Sequence, residues 1–268
     1  MTVATDLVVT ARGAECTVRS FGDPGDPAVV FLHPAVGAIG DEAFLEALAA
    51  RGYRVLAPEW PGYGSSTGEE LLEDMLDFAL HGWDVVNSLG LSEVVLVGHS
   101  MGGMIAAEMA ALCPERLRAL VLVSPNGLWD DDRPIVDLFS LLPFQFAEVL
   151  FADPAAGAAL LTGGVNFNDM DALTEFFVGN ARRLGTAGKI LFPIPNRRVS
   201  KRLYRVTTPA LIAWGSNDAY MDPMYAQSWR SLLENASVVS LDGAGHMVPF
   251  ERPEELALAI GDFVAQQP

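Results

Sequence analysis

The residues of this chain that can do covalent chemistry converge on one serine. In Gly98-His99-Ser100-Met101-Gly102-Gly103 the serine has a glycine two residues away on each side. The run before it, Glu93 to Val97, reads as a β-strand, and the run after it, Met104 to Leu112, as a helix. A serine on so sharp a strand-to-helix turn is held in a strained backbone conformation that exposes its hydroxyl, while the glycines let strand and helix approach closely. The helix starts beneath Ser100, so its first N–H groups and positive dipole end face any oxyanion formed at a substrate carbonyl. The Met101 N–H is the best placed to donate. A serine hydroxyl is a weak nucleophile at neutral pH and needs a base within hydrogen-bond reach, with a third group to fix the tautomer of that base. Four histidines are on offer: His33, His81, His99 and His246.

The elements that must position these groups alternate along the chain. Ala28 to Leu32, Arg54 to Ala57, Glu93 to Val97, Leu117 to Val123, Ala210 to Trp214 and Ser237 to Leu241 read as strands. Between them lie helical patterns at Asp41 to Ala50, Glu69 to Leu89, Met101 to Leu112, Pro223 to Glu234 and Pro253 to Ala265. Such alternation predicts an α/β fold with a mostly parallel sheet, covered on both faces because crossovers are right-handed. Asp6 to Thr10 and Glu15 to Ser20 look like an antiparallel hairpin at its edge. Leu128 to Arg205 is far too long for an ordinary connection and predicts a helical insert. Eight of the fourteen phenylalanines fall in it, including Phe139, Phe144, Phe146, Phe151, Phe176 and Phe177. Most are expected to pack the insert onto the main domain and a few to line the cleft between the two.

Composition bounds the partners. With 268 residues, 50% of them apolar and 19% charged, the chain can bury one substantial core plus an insert. A net charge of -17 repels phosphate backbones and anionic headgroups, which argues against nucleic acid and the membrane surface as partners. No stretch approaches the roughly 18 to 20 uninterrupted apolar residues of a membrane helix. Met1 to Thr10 lacks a basic stretch followed by an apolar one, so a cytoplasmic protein is expected. Cys16 and Cys113 lie in separate elements and form no metal-ligand cluster, so neither a disulfide nor a metal or other cofactor is expected. The basic run Arg197, Arg198, Lys201, Arg202 and Arg205 reads as a solvated helix face paired with acidic neighbours.

The segment Gly98 to Gly103 resembles the nucleophile elbow of the α/β-hydrolase family. The likeness spans nearly the whole core. It takes in the loop His33-Pro34-Ala35-Val36-Gly37, the turn Pro61-Gly62-Tyr63-Gly64-Ser65-Ser66, the strand end Trp214-Gly215-Ser216-Asn217-Asp218 and the loop Gly245-His246. The resemblance implies an eight-stranded α/β-hydrolase core at residues 1–127 and 206–268, with a helical cap at 128–205. It also implies the chain order serine, acid, histidine, which makes His246 the base and Asp218 the orienting acid. Asp222 precedes Pro223 and is explained as a helix N-cap, whereas Asp218 lies at the C-terminal edge of the sheet where functional side chains gather. His33 then belongs to the oxyanion side, His99 points away from Ser100, and His81 lies on a helix. The family commonly has His-Gly before its second oxyanion donor. Here Pro34 replaces the glycine, so the donor by position is Ala35. Glu59 stands where an aspartate often precedes the Pro-Gly turn and is read as structural.

A serine at the elbow excludes the chemistry of relatives that use an aspartate nucleophile there. Cleavage of a carboxylic ester or related acyl bond of a small, largely apolar substrate is the first expectation. Carbon-carbon bond hydrolysis is the second, although Met247 follows the histidine where those enzymes often carry tryptophan. A small-molecule receptor that retains the triad is the alternative outside enzymology.

Overall fold

The structure is a computed structural model that describes residues 5–267. Met1 to Ala4 and Pro268, which belong to the expected core segments, lie outside the described residues. The strands are β1 (Thr5–Ala11), β2 (Ala14–Phe21), β3 (Ala28–Leu32), β4 (Arg54–Pro58), β5 (Val94–His99), β6 (Leu117–Val123), β7 (Ala210–Gly215) and β8 (Ala236–Leu241). They form one eight-stranded sheet in the order β1-β2-β4-β3-β5-β6-β7-β8. β1 pairs with β2 and β2 with β4 antiparallel, and the other pairs are parallel. The expected edge hairpin is therefore present.

The helices are α1 (Glu42–Ala49), α2 (Met75–Ser88), α3 (Met101–Leu112), α4 (Phe146–Leu150), α5 (Pro154–Thr162), α6 (Met170–Leu191), α7 (Tyr225–Leu232), α8 (Val248–Glu251) and α9 (Pro253–Ala265). β5 runs through the middle of the sheet and shows how both faces are covered. Its Val94 and Leu96 belong to the apolar cluster that also holds residues of α2 and α3, while Val95 and Val97 belong to the one that holds residues of α1 and α9. That is the period-two alternation of a strand buried on both sides.

Two helices start later than their apolar patterns suggest. α2 begins at Met75 because the Asp74 carboxylate accepts from the Leu76 and Asp77 N–H groups, and Glu69–Leu71 forms a separate 3-10 turn before it. α7 begins at Tyr225, and Asp222 accepts from Met224 N–H in the turn that leads into it. Asp222 is therefore not the N-cap expected of it: Met224 holds that position, and Asp222 is an acceptor in the turn before it.

Residues 128–205 hold α4, α5, α6 and four 3-10 turns. The expectation for the phenylalanines is corrected here. Phe146 and Phe151 are buried, but Phe144, Phe167, Phe177 and Phe192 are between 46% and 68% exposed, so fewer than expected pack onto the main domain. The basic run is not a helix face: Lys201 and Arg205 fall in two 3-10 turns against α3 and the other three lie outside them, but Arg202 does pair with an acidic neighbour, the buried Glu108, and Arg205 donates to the Ala111 carbonyl. No helix of the described residues is long and apolar enough to cross a membrane.

Glycine makes the closest approaches possible. At Gly215 a Cβ would run into the Gly245 and Ala244 carbonyls, which join the end of β7 to the loop after β8. Gly179 and Gly185, inside α6, have nothing within 4 Å of a Cβ. Gly215→Ala is expected to cost about 2 kcal/mol or more, because backbone must move. Gly179→Ala and Gly185→Ala are each expected to gain up to ~1 kcal/mol of helix propensity. Urea midpoints check both signs.

All four histidines sit in the interior. Burial holds His33 and His81 down at about 4, from an ordinary 6.5, and pushes His99 well below that ordinary value. Their folded-state pKa lies under the unfolded one, so the unfolded chain takes up protons first. Stability is then full above about pH 6.5 and is lost as pH falls toward 4. Burial raises the Glu59 and Glu251 carboxyls, which lean the other way. The comparison is therefore made within one background: His81→Leu, which removes a titrating ring whose Nε2 has no partner, should flatten the loss of melting temperature between neutral pH and pH ~4.5. An unchanged slope would assign the acid sensitivity elsewhere.

Candidate active site

The order of the central strands decides where a site can form. From β3 the chain moves to β4 on one side, and from β5 it moves to β6 on the other, so the direction of winding reverses between β3 and β5. A crevice opens outside the carboxyl ends of strands at such a point. The loop after β3 carries Ala35, and the end of β5 carries Ser100.

β5 passes into α3 through Ser100 alone. Its backbone sits at φ 55 and ψ -114, a region a residue with a side chain rarely occupies. Three glycines allow the turn. A Cβ at Gly98 would meet the Gly102 carbonyl, one at Gly102 would meet the Leu32 and His33 carbonyls, and one at Gly103 would come 2.7 Å from the Pro125 Cβ. Helix α3 therefore begins against the end of β3, which sets Met101 and Ala35 on neighbouring segments.

The loop that holds Ala35 is fixed by His33. Trp60 N–H donates to His33 Nε2 at 3.1 Å, so the proton is on Nδ1, which donates to the Pro34 carbonyl at 2.8 Å. Both partners need the neutral ring, in keeping with its depressed pKa. Pro34 closes a turn in which its carbonyl accepts from Gly37 N–H, and the Ala35 carbonyl accepts from the Tyr63 hydroxyl at 2.9 Å. With the Ala35 carbonyl tied to Tyr63, the loop has one fixed orientation.

Asp218 and His246 come together from the ends of adjacent strands. His246 Nδ1 lies 2.8 Å from Asp218 Oδ2, and both side chains are buried. The other carboxylate oxygen, Oδ1, accepts from the Tyr220 and Met221 N–H groups at 3.0 and 2.9 Å. An ionised Asp218 accepts the Nδ1 proton, which leaves Nε2 with a lone pair. That Nε2 has no hydrogen-bond partner among the described residues. His99 turns its Nε2 to the His246 carbonyl, 2.8 Å away, and so braces the backbone of the histidine loop. His81 lies apart on α2, against Trp60.

Several residues that sequence reasoning did not single out complete the surroundings. Asn126 is fully buried, its Oδ1 accepts from the Ser100 hydroxyl at 3.0 Å, and its backbone N–H donates to the Ser100 carbonyl. Its Nδ2 lies 3.3 Å from the Tyr220 hydroxyl, and the Tyr220 ring stands edge-on to His246 at 4.6 Å. From the insert, the Leu150 carbonyl accepts from both His246 N–H and Met247 N–H. Glu251 accepts from Ala152 N–H and Gly245 N–H at 2.7 and 2.8 Å. The only sequence signal for Asn126 was its place in Ser124-Pro125-Asn126-Gly127 just past β6, which reads as an ordinary turn. Among the described residues there is no group of three or more His, Cys, Asp or Glu that could hold a metal ion.

Comparison with known proteins places this geometry in context. The profile of the alpha/beta hydrolase family matches residues 29–259. The chain is 28% identical over 264 residues to the 2-hydroxy-6-oxononadienedioate/2-hydroxy-6-oxononatrienedioate hydrolase of Burkholderia vietnamiensis, covering 90% of this chain and 88% of that protein. It is 26% identical over 267 residues to the sn-1-specific diacylglycerol lipase of Mus musculus, covering 91% and 83% respectively. Among solved structures, a bacterial membrane phospholipase A superposes with a TM-score of 0.81 at 23% identity, over 98% of this chain and 86% of that one, a likeness of fold. A match running from within β3 into α9, on a sheet of this order, means that the chain belongs to the alpha/beta hydrolase family.

Proposed function

We propose that this hydrolase cleaves a carboxylic ester or related acyl bond of a small, largely apolar substrate through an acyl-enzyme on Ser100. The observation that supports the reading is the buried Asp218–His246 pair, whose Nε2 has no hydrogen-bond partner among the described residues, beside a serine held at φ 55 on the turn after β5. Ser100 Oγ attacks the carbonyl carbon as its proton passes to His246 Nε2. The oxyanion is held by the Met101 and Ala35 N–H groups, and the imidazolium is stabilised by Asp218. His246 then protonates the leaving alkoxide as the carbon-oxygen bond breaks. Water, deprotonated by the same ring, releases the acid and restores the serine. Carbon-carbon cleavage remains the second reading, favoured by the 28% identity to the dienedioate hydrolase.

The core is taken as residues 1–127 and 206–268, and 128–205 as a cap. In support, Ser100 is only 3% exposed, and the cap residue Leu150 is bonded to the histidine loop. Cap residues also line a partly open cavity of about 350 Å³, among them Phe144, Ala147, Ala158, Leu161, Phe176 and Phe177. Its one hydroxyl, on Thr162, already donates to the Ala158 carbonyl. A chamber walled in this way suits a hydrocarbon end of the substrate.

Ser100→Ala and His246→Ala should each remove several powers of ten of activity toward p-nitrophenyl butyrate, with the fold retained. A variant that keeps more than about a tenth of the rate would show that its residue is not part of the catalytic unit.

The chamber is tested with p-nitrophenyl esters from acetate to decanoate. kcat/KM should first rise with chain length, by up to about 0.8 kcal/mol for each buried methylene. Ala158→Trp, which fills the chamber, should abolish the rise and leave the acetate rate nearly unchanged. A point substitution is the right tool because excising the whole cap would also remove the Leu150 carbonyl from His246 and Met247. A rise that survives Ala158→Trp would place the acyl group elsewhere.

A further inference from the structure

The Ser100 hydroxyl and the base proposed for it are not bonded to each other. Its hydrogen bond goes to Asn126 Oδ1, while His246 Nε2 has no partner among the described residues. Asn126 is not a loosely placed acceptor. Its backbone N–H is bonded to the Ser100 carbonyl, and its side-chain nitrogen is within 3.3 Å of the Tyr220 hydroxyl and of the Met221 sulfur. Tyr220 and Met221 are also the residues whose N–H groups bond Asp218. The segment just after β6 and the segment just after β7 therefore meet at Asn126.

Resting on the assignment of Ser100 as nucleophile, we propose that Asn126 is a positioning residue that holds the serine hydroxyl in a resting rotamer and competes with His246 Nε2 for its proton. A hydroxyl has one proton to donate, so each molecule in which it points to Asn126 is one in which it does not point to the base. Reaction proceeds from the fraction that has rotated. Apparent reactivity is the intrinsic reactivity multiplied by that fraction, as for any binding-competent minor state. Asn126 thus slows the free enzyme's nucleophile without touching the base, the acid or the oxyanion donors.

The arrangement makes an unusual prediction: removing a buried polar neighbour of the nucleophile should speed it up. Asn126→Leu keeps similar bulk and offers no acceptor. Asn126→Asp keeps the acceptor and strengthens it, because hydrogen bonds to a carboxylate are about twice as strong as neutral ones. The probe is a fluorophosphonate, small enough to report on the serine rather than on substrate fit. Ser100 Oγ bonds to phosphorus, the phosphorus–fluorine bond breaks, fluoride leaves, and the serine proton passes to His246.

The second-order labelling constant of Asn126→Leu should rise about fivefold, the factor that corresponds to one net buried hydrogen bond. That of Asn126→Asp should fall, and the pH profile of Asn126→Leu should keep the wild-type midpoint because the base is unaltered. A packing role alone would lower the labelling constant of Asn126→Leu together with its melting temperature. That result, or a constant equal to wild type, overturns the proposal. A folded wild type that does not label at all would instead overturn the assignment of Ser100 on which the proposal rests.

Discussion

Helix α3 begins one residue after β5 ends, and the approach this requires constrains everything around it. The backbone carbonyls of Leu32 and His33 occupy the space where a side chain at Gly102 would stand. With no side chain there, the helix end closes on the strand edge, and Ser100 accepts a φ of 55 as the geometric remainder. The strain is tolerated because neighbouring bonds over-determine the turn. Ser100 N–H is held by the Val123 carbonyl, and the Ser100 carbonyl accepts from both Met104 and Asn126. A loop of several residues would have let the hydroxyl wander. A turn of one residue fixes it on the sheet edge, at the place where strand winding reverses.

The partners are placed by a similarly short reach. Asp218 and His246 arrive from β7 and β8, which are neighbours in the sheet, so no long excursion is needed to bring two polar side chains into a dry interior. A buried carboxylate costs free energy unless its oxygens are satisfied, and here one oxygen accepts from two backbone N–H groups and the other from the imidazole. The histidine ring is then the one group of the pair with an uncommitted atom. On the opposite side, His33 is neutral and doubly bonded, and its two hydrogen bonds fix the start of the loop that carries Ala35.

How much of this was legible in the sequence follows from what kind of signal each feature leaves. The inner strands and their alternation with helices were legible because burial on both faces writes itself as short apolar runs. The elbow was legible because a backbone that needs glycine at fixed offsets writes that need directly, at Gly98 and Gly102. Asp218 was separable from Asp222 by local chemistry, and the structure sets them apart accordingly: one on the imidazole, one in a turn before α7. The start of α2 at Met75, behind the Asp74 cap, was missed because apolar periodicity carries on through Glu69–Leu71, and a cap is a single residue against that background. The phenylalanines of the insert misled for a related reason. Composition records how apolar a segment is but not which way each ring faces, and Phe144 and Phe177 face a chamber and solvent rather than the core. Asn126 left no signal beyond that of a turn, because its importance lies in a partner 26 positions away in the chain.

The carbonyl of Leu150 sits at the end of a five-residue helix in the insert, yet it receives the N–H groups of His246 and of the residue after it. Glu251 closes the same seam from the other side, bridging Ala152 and Gly245. Residues 128–205 thus meet the rest of the chain along two separate seams. The stretch through α4 is stitched to the histidine loop as though it were an extra piece of the core, while α6 is tied to the main domain through Arg182 and Lys189 on the segment before α2. Anyone grafting a different insert onto this scaffold would have a natural cut site after Ala152 rather than at Leu128. Exchange beyond that point reshapes the chamber, whereas exchange before it pulls out a stitch that holds the histidine in register.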